Sequence, residues 1–564
     1  MKVVIVGGVA GGATAAARIR RLDEQAQITV FERSGYVSYA NCGLPYYIGG
    51  VISDREALTL QTPESFQQRF AVDVRVGHEV ISIDTQAKRV RVRELATGRE
   101  FEQEYDKLLL SPGAKPTQPP MPGLDDPRLF TLRTVEDTLR IRQYVLEHKP
   151  QSVVMAGGGF IGLELAENLR ELGLEVTIVQ GISHMLLQMD GEMAAFLHAK
   201  LRQKGIRLMT GCLVEGFAST GNGIQAMIKD GPAVQADMAV MAIGVTPDTA
   251  LAKTAGLELG QRGSIVVNER METSQPDIYA VGDAVQVRHL VSGRETLIAL
   301  AGPANKQGRI AADNICGGDS RYRGALGSFV LKVFHMTAAS TGLSEEAAVA
   351  AGINCDKLYL APANHAGYYP GGKVMMMKVL FERDSFRLLG AQIVGYEGVD
   401  KRIDVLATAL QAGLTVPELK DLDLAYAPPY SSAKDPVNMA GFMAENLRDG
   451  LVQQFHWDEV DALPRDGSVT LLDVRTPAEY AMGHIDGFQN IPLDELRPRM
   501  GELPAGKPVY AHCQSGLRSY VACRMLAQSG FTCYNLSGSY LLYATATQHY
   551  SPAPSADPCG RERR

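Results

Sequence analysis

The chain has 564 residues, of which 45% are hydrophobic and 21% charged, with a formal net charge of −7 and eight cysteines. That length exceeds what one core supports and implies several domains. Interspersed charge of acidic balance leaves no broad basic surface for nucleic acid or membrane, so an anionic ligand needs a local basic pocket.

The cysteines at 42, 212, 316, 355, 513, 523, 533 and 559 form no C-x-x-C pair, and no histidine cluster has metal-ligand spacing. This argues against a disulfide framework and a metal centre. Free thiols fit a reducing compartment, so a cytoplasmic location is expected. The first apolar run passes straight into a glycine turn, unlike a signal peptide. No apolar stretch reaches the ~20 residues of a membrane helix.

Two stretches about 150 residues apart repeat one unit: strand, glycine turn, helix, strand. The first is Val3-Val-Ile-Val-Gly7-Gly8-Val9-Ala10-Gly11-Gly12, an alanine-rich helix and the strand Ile28-Thr-Val-Phe-Glu32. The second is Val153-Val-Met-Ala-Gly157-Gly-Gly159-Phe-Ile161-Gly162, a helix and the strand Val176-Thr-Ile-Val-Gln180. A glycine turn lets backbone approach a pyrophosphate, and the following helix start offers unpaired N–H groups. Glu32 stands where an acid bonds a ribose 2′-OH, whereas Val9 replaces the usual second glycine. The second fingerprint is complete, but Gln180 holds the acceptor position. A neutral amide neither demands NADH nor builds a 2′-phosphate pocket, so either nucleotide is expected, with a preference for NADH.

Alternation at Val72 to Val76 and Val90 to Arg93 suggests an antiparallel insert after the first unit. Alternating runs at Phe329 to Phe334 and Val374 to Phe381, with a helix near Ile403 to Gln411, suggest a separate α+β domain. A polar connector and a compact module of about 90 residues follow. The last stretch, Ser551 to Arg564, has the Pro, Ser and Arg content of a disordered tail.

Leu108-Leu-Leu-Ser-Pro-Gly113-Ala114 and Pro276-Asp-Ile-Tyr-Ala-Val-Gly282-Asp283-Ala284 resemble the auxiliary FAD motifs of flavoproteins that bind two dinucleotides. Ala242-Ile-Gly244-Val-Thr-Pro247 resembles the companion turn of their pyridine-nucleotide domain. The resemblance implies FAD at Gly7, Ala10, Gly11, Gly12, Glu32, Arg33, Val80, Ala114, Arg133, Asp283 and Ala301. It implies NADH or NADPH at Gly157, Gly159, Ile161, Gly162, Gln180 and Gly244.

Such reductases carry two cysteines in C-x-x-x-x-C, but here Cys42 is single, since Gly43 to Tyr47 supplies no second. A lone thiol must form a mixed disulfide, a persulfide or a sulfenic acid, with the thiolate as the reacting form. Val37-Ser38-Tyr-Ala-Asn41-Cys42-Gly-Leu-Pro45-Tyr46 resembles the active-site segment of coenzyme A disulfide reductases. The likeness extends to about residue 445 and includes His365-Ala-Gly-Tyr368-Tyr369-Pro370 and Leu424-Ala-Tyr426-Ala-Pro-Pro429-Tyr430. It implies a homodimer in which Tyr368 and Tyr426 donate hydrogen bonds near the partner's sulfur. It also implies a coenzyme A groove formed by Arg18, Arg21, Ser38, Asn41, Asn305 and Lys306, since cationic groups suit the phosphates.

Leu471-Leu-Asp473-Val-Arg475-Thr-Pro-Ala-Glu479-Tyr480, Gly483-His484-Ile-Asp-Gly and Cys513-Gln-Ser-Gly516-Leu-Arg518-Ser519 together resemble a rhodanese domain. The resemblance implies a loop whose N–H groups hold a Cys513 persulfide anion, with Arg518 turned inward to order it.

The expected class is α/β: two Rossmann-like dinucleotide-binding domains, an α+β dimerisation domain and an α/β rhodanese domain. The expected boundaries are 1–149 with 271–326 for FAD, 150–270 for NAD(P)H, 327–445 for dimerisation, 446–458 for a linker, 459–550 for the rhodanese domain and 551–564 for the tail. The expected activity is NAD(P)H-dependent reduction of coenzyme A persulfide or polysulfide to sulfide through Cys42, with Cys513 relaying sulfane sulfur. Coenzyme A disulfide reduction, NADH oxidase or peroxidase chemistry, and a sulfurtransferase or sulfur relay remain the alternatives.

Overall fold

The computed structural model describes residues 1–550 together with the backbone of Ala556–Asp557 and Arg561–Glu562. The rest of the expected tail, Cys559 included, lies outside the described residues. The chain divides into two compact units, Met1–Gly181 with Gly205–Gly327, and Ile182–Lys204 with Ser328 onward.

The first unit contains two five-stranded parallel sheets. One has the order Ile278–Ala280, Lys107–Leu110, Lys2–Val6, Gln27–Glu32, Asp73–Val76. Its central strand is a continuous apolar run, Val3 to Val6, buried as expected for a sheet covered on both faces. The other has the order Arg207–Thr210, Glu175–Gln180, Ser152–Ala156, Met238–Met241, Leu129–Phe130. The strands His78–Asp84, Arg89–Glu94 and Glu100–Glu104 form a separate antiparallel sheet. The alternation at 72–76 has a different origin from the one expected. Asp73–Val76 pairs in parallel with Gln27–Glu32 at the sheet edge, where half-burial on both faces imitates an antiparallel strand.

The second unit holds an antiparallel sheet, Phe329–Val333, Met336–Gly342, Leu388–Gly395, Met376–Glu382, Cys355–Leu360, with the helix Val399–Ala412 against it. It also holds a five-stranded parallel sheet of order Gln453–Phe455, Cys533–Leu536, Val509–His512, Thr470–Asp473, Gln489–Asn490.

Two features depart from the expected boundaries. The segment 446–458 is not only a connector, because Gln453–Phe455 pairs with Tyr534, Asn535 and Leu536 at the edge of the C-terminal sheet. Three residues flanked by polar neighbours carry too little pattern to announce a strand. The range 150–270 also contains Ile182–Lys204, which belongs to the second unit. Its helix Gly191–Gln203 buries Met193, Ala194, Leu197 and Leu201, and an amphipathic pattern tells that a helix packs without telling on what.

What fixes that excursion is a buried cation. Lys378 Nζ donates to Asp190 Oδ2 at 2.7 Å, Glu192 Oε1 at 2.6 Å and Glu345 Oε2 at 2.8 Å, with 1% of the lysine side chain exposed. Desolvation opposes the charged lysine, but the surrounding carboxylates and Tyr359 outweigh it and raise its pKa. The three acids that could otherwise gather a metal ion are thus filled by an ammonium group. Removing one partner of a buried ion pair leaves the others uncompensated, at a cost of about 3–5 kcal/mol. Lys378→Met should therefore lower the thermal midpoint of this unit by several degrees at neutral pH, and by less under mildly acidic conditions that protonate carboxylates. An unchanged midpoint in scanning calorimetry would show that the cluster holds nothing in place.

Candidate functional site

Both glycine turns are built for close approach. Gly7 has φ +94°, and a Cβ there would sit 2.1 Å from the Ser111 carbonyl oxygen; one on Gly12 would sit 1.9 Å from that of Gly7. In the second turn Gly157 has φ +109°, and a Cβ on Gly162 would meet the Gly157 oxygen at 2.2 Å. The helices Ala10–Leu22 and Phe160–Glu171 both start at these turns without a side-chain cap on the N-cap residue, and in the first Gly12 N donates to Ser111 Oγ at 3.1 Å; a helix start of this kind favours an anion. Gly159 faces open space where a diphosphate would pass. The turns therefore fit the two dinucleotides.

The acceptor residues of the two units occupy equivalent positions. Glu32 Oε2 accepts from Gly8 N at 2.8 Å and its Oε1 from Ser34 N at 2.9 Å. Gln180 Oε1 accepts from Gly158 N at 2.8 Å, which leaves its NH₂ as the donor end. Around the first turn Arg133 pairs with Asp283 at 2.7 Å and Arg33 with Asp248 at 2.8 Å. Val80 and Ala114 are buried, Ala301 opens the helix Ala301–Ile315, Ile161 lies in the first turn of its helix, and Gly244 has φ +121° in a turn before the strand Val245–Pro247.

Cys42 sits in the single-turn helix Asn41–Gly43 just before Leu44–Ile48. It is exposed, yet partial desolvation of its sulfur and the nearby Glu164 charge raise the thiol pKa, with Arg133 opposing. Glu164 accepts from Tyr46 Oη at 3.3 Å, and burial, against that hydrogen bond, pushes its carboxyl up to about 7. Sequence reasoning missed this Tyr46–Glu164 pair, because a glutamate one turn into the helix after a fingerprint reads as ordinary helix.

Of the expected coenzyme A residues, Arg18 and Asn305 lie on two helices that pack closely, with Gly308 against Gly11. Asn305 Oδ1 accepts from Thr14 Oγ1 at 2.6 Å, and Arg18 is paired with Asp313 at 2.7 Å. Arg21 and Lys306 are exposed on the same helices, Ser38 takes φ +47°, and Asn41 begins the cysteine turn. Arg18 thus already carries a carboxylate partner, which leaves Arg21 and Lys306 as the exposed cations of the set.

In the second unit the phenol oxygens of Tyr368 and Tyr426 meet at 2.6 Å, and both side chains are exposed. A fully buried guanidinium fixes the loops that carry them. Arg402 donates to Asp435 Oδ2 at 2.9 Å, Ser431 Oγ at 3.0 Å and the Asn364 carbonyl at 2.9 Å, while Ala366 N donates to the Ser431 carbonyl.

Cys513 ends the strand Val509–His512 and is wholly buried. Its Sγ accepts from Gly516 N at 3.1 Å and from Ser519 Oγ at 3.4 Å, with Ser539 Oγ at 3.8 Å. Burial raises its pKa, but the Ser519 hydroxyl and the N–H groups of Ser519, Ser515 and Gly516 outweigh it, so the net shift is downward. The Arg518 side chain forms two 2.7 Å bonds to Glu479, whose role the sequence reading left out.

Family models match in three stretches: pyridine nucleotide-disulphide oxidoreductase over residues 1–308, the dimerisation domain of those enzymes over 329–436, and a rhodanese-like domain over 456–546. A coenzyme A disulfide reductase of Staphylococcus aureus is 36% identical over 445 residues, 79% of this chain and 100% of that protein. The crystal structure of reduced CoADR-RHD from Bacillus anthracis superposes with TM-score 0.94 at 48% identity, covering 97% of this chain and 99% of its own. A NAD-dependent persulfide reductase from A. fulgidus superposes with TM-score 0.91 at 39% identity, covering 96% of this chain and 100% of its own. The fold, the turns and these likenesses agree: the chain belongs to the pyridine nucleotide-disulphide oxidoreductase family.

Proposed function

We propose that this chain is an NAD(P)H-dependent FAD enzyme that reduces coenzyme A persulfide or polysulfide to sulfide at Cys42, with Cys513 relaying sulfane sulfur. The observation that carries this reading is the presence, in one chain, of a single thiol beside dinucleotide turns and a second thiol cradled by N–H and O–H donors. The similarity to a protein described as a persulfide reductase, over 96% of this chain, supports it. FAD, held by the Gly7 to Gly12 turn, Glu32 and the Arg133–Asp283 pair, would supply two-electron transfer between nicotinamide and sulfur.

The remaining work falls to the protein's own groups. Cys42 is the nucleophile toward a sulfur–sulfur bond, and its raised pKa calls for outside stabilisation of the thiolate. Hydrogen-bond donors from Tyr368 and Tyr426 of a second subunit would provide it, which makes a homodimer the working form and gives the exposed tyrosine pair a task. Exposed Arg21 and Lys306 would take the phosphates of coenzyme A, with Ser38, Asn41, Asn305 and Arg18 along the wall. Gln180 presents an amide donor at the ribose, which suits a 2′-OH without repelling a 2′-phosphate, so NADH and NADPH are both usable, NADH being preferred. The free cysteines suit a cytoplasmic location.

Coenzyme A disulfide reduction is the second reading, favoured by the name of the Staphylococcus relative. Sulfide release and NADH consumption, measured with coenzyme A persulfide and with coenzyme A disulfide, separate the two. Persulfide turnover should vanish in Cys42→Ser and fall about tenfold or more in Cys513→Ser, the scale at which loss of a positioned relay is felt. Disulfide turnover that matches or exceeds persulfide turnover and ignores Cys513 would make the chain a disulfide reductase with a separate sulfurtransferase.

The electrostatics at Cys42 yield a second expectation. Glu164→Gln keeps an acceptor for Tyr46 but removes a negative charge, so above pH 7 Cys42 should be alkylated faster by iodoacetamide than in the wild type. Below about pH 7 the wild-type carboxyl is itself protonated, and the two proteins should converge. Superimposable pH–rate curves would mean that Glu164 does not act on the thiol.

A further inference from the structure

Among the described residues, the two arginines that flank the Cys513 loop are each paired with a carboxylate. Arg475, buried beneath the loop, gives Nε and Nη2 to Asp473 at 3.0 and 2.7 Å, donates to the Gly483 carbonyl at 2.8 Å and lies 3.9 Å from the centre of the Tyr540 ring. Arg518 gives both terminal nitrogens to Glu479. Glu479 is fixed in turn by the Thr476 N–H and hydroxyl at 2.9 Å, and the Arg518 pair, with these bonds outweighing burial, holds its carboxyl down at about 2. His512 is buried, and desolvation lowers its pKa to about 4, so it is neutral. The loop residues Gln514, Ser515, Gly516 and Leu517 carry no charge. The donors on Cys513 Sγ are neutral, backbone N–H groups of the loop and the hydroxyls of Ser519 and Ser539.

We infer that Glu479 sets the donor specificity of this site: by engaging both arms of Arg518 it leaves the Cys513 cradle without an uncompensated cation, so the site takes organic persulfides and discriminates against thiosulfate. This rests on the reading of the C-terminal domain as a sulfur-transfer module. With a persulfide, the Cys513 thiolate attacks the outer sulfur of R–S–SH, the S–S bond of the donor breaks with its electron pair going to the inner sulfur, and a Cys513 persulfide and R–S⁻ result without net oxidation. With thiosulfate the same attack expels sulfite, so a dianion must first come up to a thiolate. That approach needs cationic help, and here both guanidinium groups are already spent on carboxylates. Two neighbouring exposed side chains are apolar: Leu517 adjoins Arg518 and Met482 lies one turn beyond Glu479, with 64% and 83% of their surfaces exposed. They suit the organic part of a donor.

Glutamine at position 479 can still serve as the third residue of the Thr476 capping box, so Glu479→Gln should fold. Thiocyanate formation from cyanide would be measured on the full-length flavin-loaded enzyme, with thiosulfate and with coenzyme A persulfide as donors. In Glu479→Gln the ratio of kcat/KM for thiosulfate to that for persulfide should rise about tenfold, chiefly through KM for thiosulfate, the scale of one added charge interaction. High salt should erase the gain. Arg518→Gln breaks the same ion pair without freeing a cation and should show no gain. An unchanged ratio in Glu479→Gln, an equal gain in Arg518→Gln, or a wild type that already uses both donors equally would overturn the inference. Thiocyanate formation that persists in Cys513→Ser would instead remove the sulfur-transfer reading itself.

Discussion

Sulfur reacts as an anion, and the charge placed around two cysteines is the constraint that the remainder of the chain serves. At Cys513 a strand ends beneath a loop whose N–H groups converge on the sulfur, and the net effect lowers its pKa despite full burial. Nothing outside the domain is needed for that. At Cys42 desolvation and Glu164 act the other way, and the thiol is raised although it is exposed. One thiol is therefore set to hold sulfur at rest, while the other depends on bound cofactor, substrate or partner to become reactive. This asymmetry fits a division between storing sulfane sulfur and reducing it.

Buried cations keep the loops that matter in place. Arg402 joins the segments that carry Tyr368 and Tyr426, Arg475 anchors the floor beneath Cys513, and Lys378 holds the 182–204 excursion on the second unit. Each is satisfied by carboxylates or carbonyls on several sides, as a charge shielded from water requires. Loops fixed in this way lose little entropy when a ligand arrives, which is how an exposed tyrosine pair can stay ordered.

Much of the site was legible in the chain because its chemistry depends on backbone. The turns at Gly7 to Gly12 and Gly157 to Gly162 leave no room for a side chain, so glycine spacing announces them directly. Cys42 and Cys513 stood out for the same reason, each within a glycine-containing turn next to a helix. The ion pairs were not legible. Glu479 lies 39 residues before Arg518 and Glu164 lies 118 residues after Tyr46, and no local pattern links such partners. The edge strands Asp73–Val76 and Gln453–Phe455 were misplaced or missed for a related reason: a short strand's direction and neighbours are settled by the sheet it joins.

The most direct test of the central claim is rapid mixing of anaerobically NADH-reduced enzyme with coenzyme A persulfide, following flavin reoxidation and sulfide release together. Rapid reoxidation is expected, abolished in Cys42→Ser and yielding one sulfide per two electrons, with oxygen and peroxide reacting far more slowly. Rapid reoxidation by oxygen or peroxide alongside a sluggish reaction with persulfide would contradict it and assign Cys42 to oxidase or peroxidase chemistry.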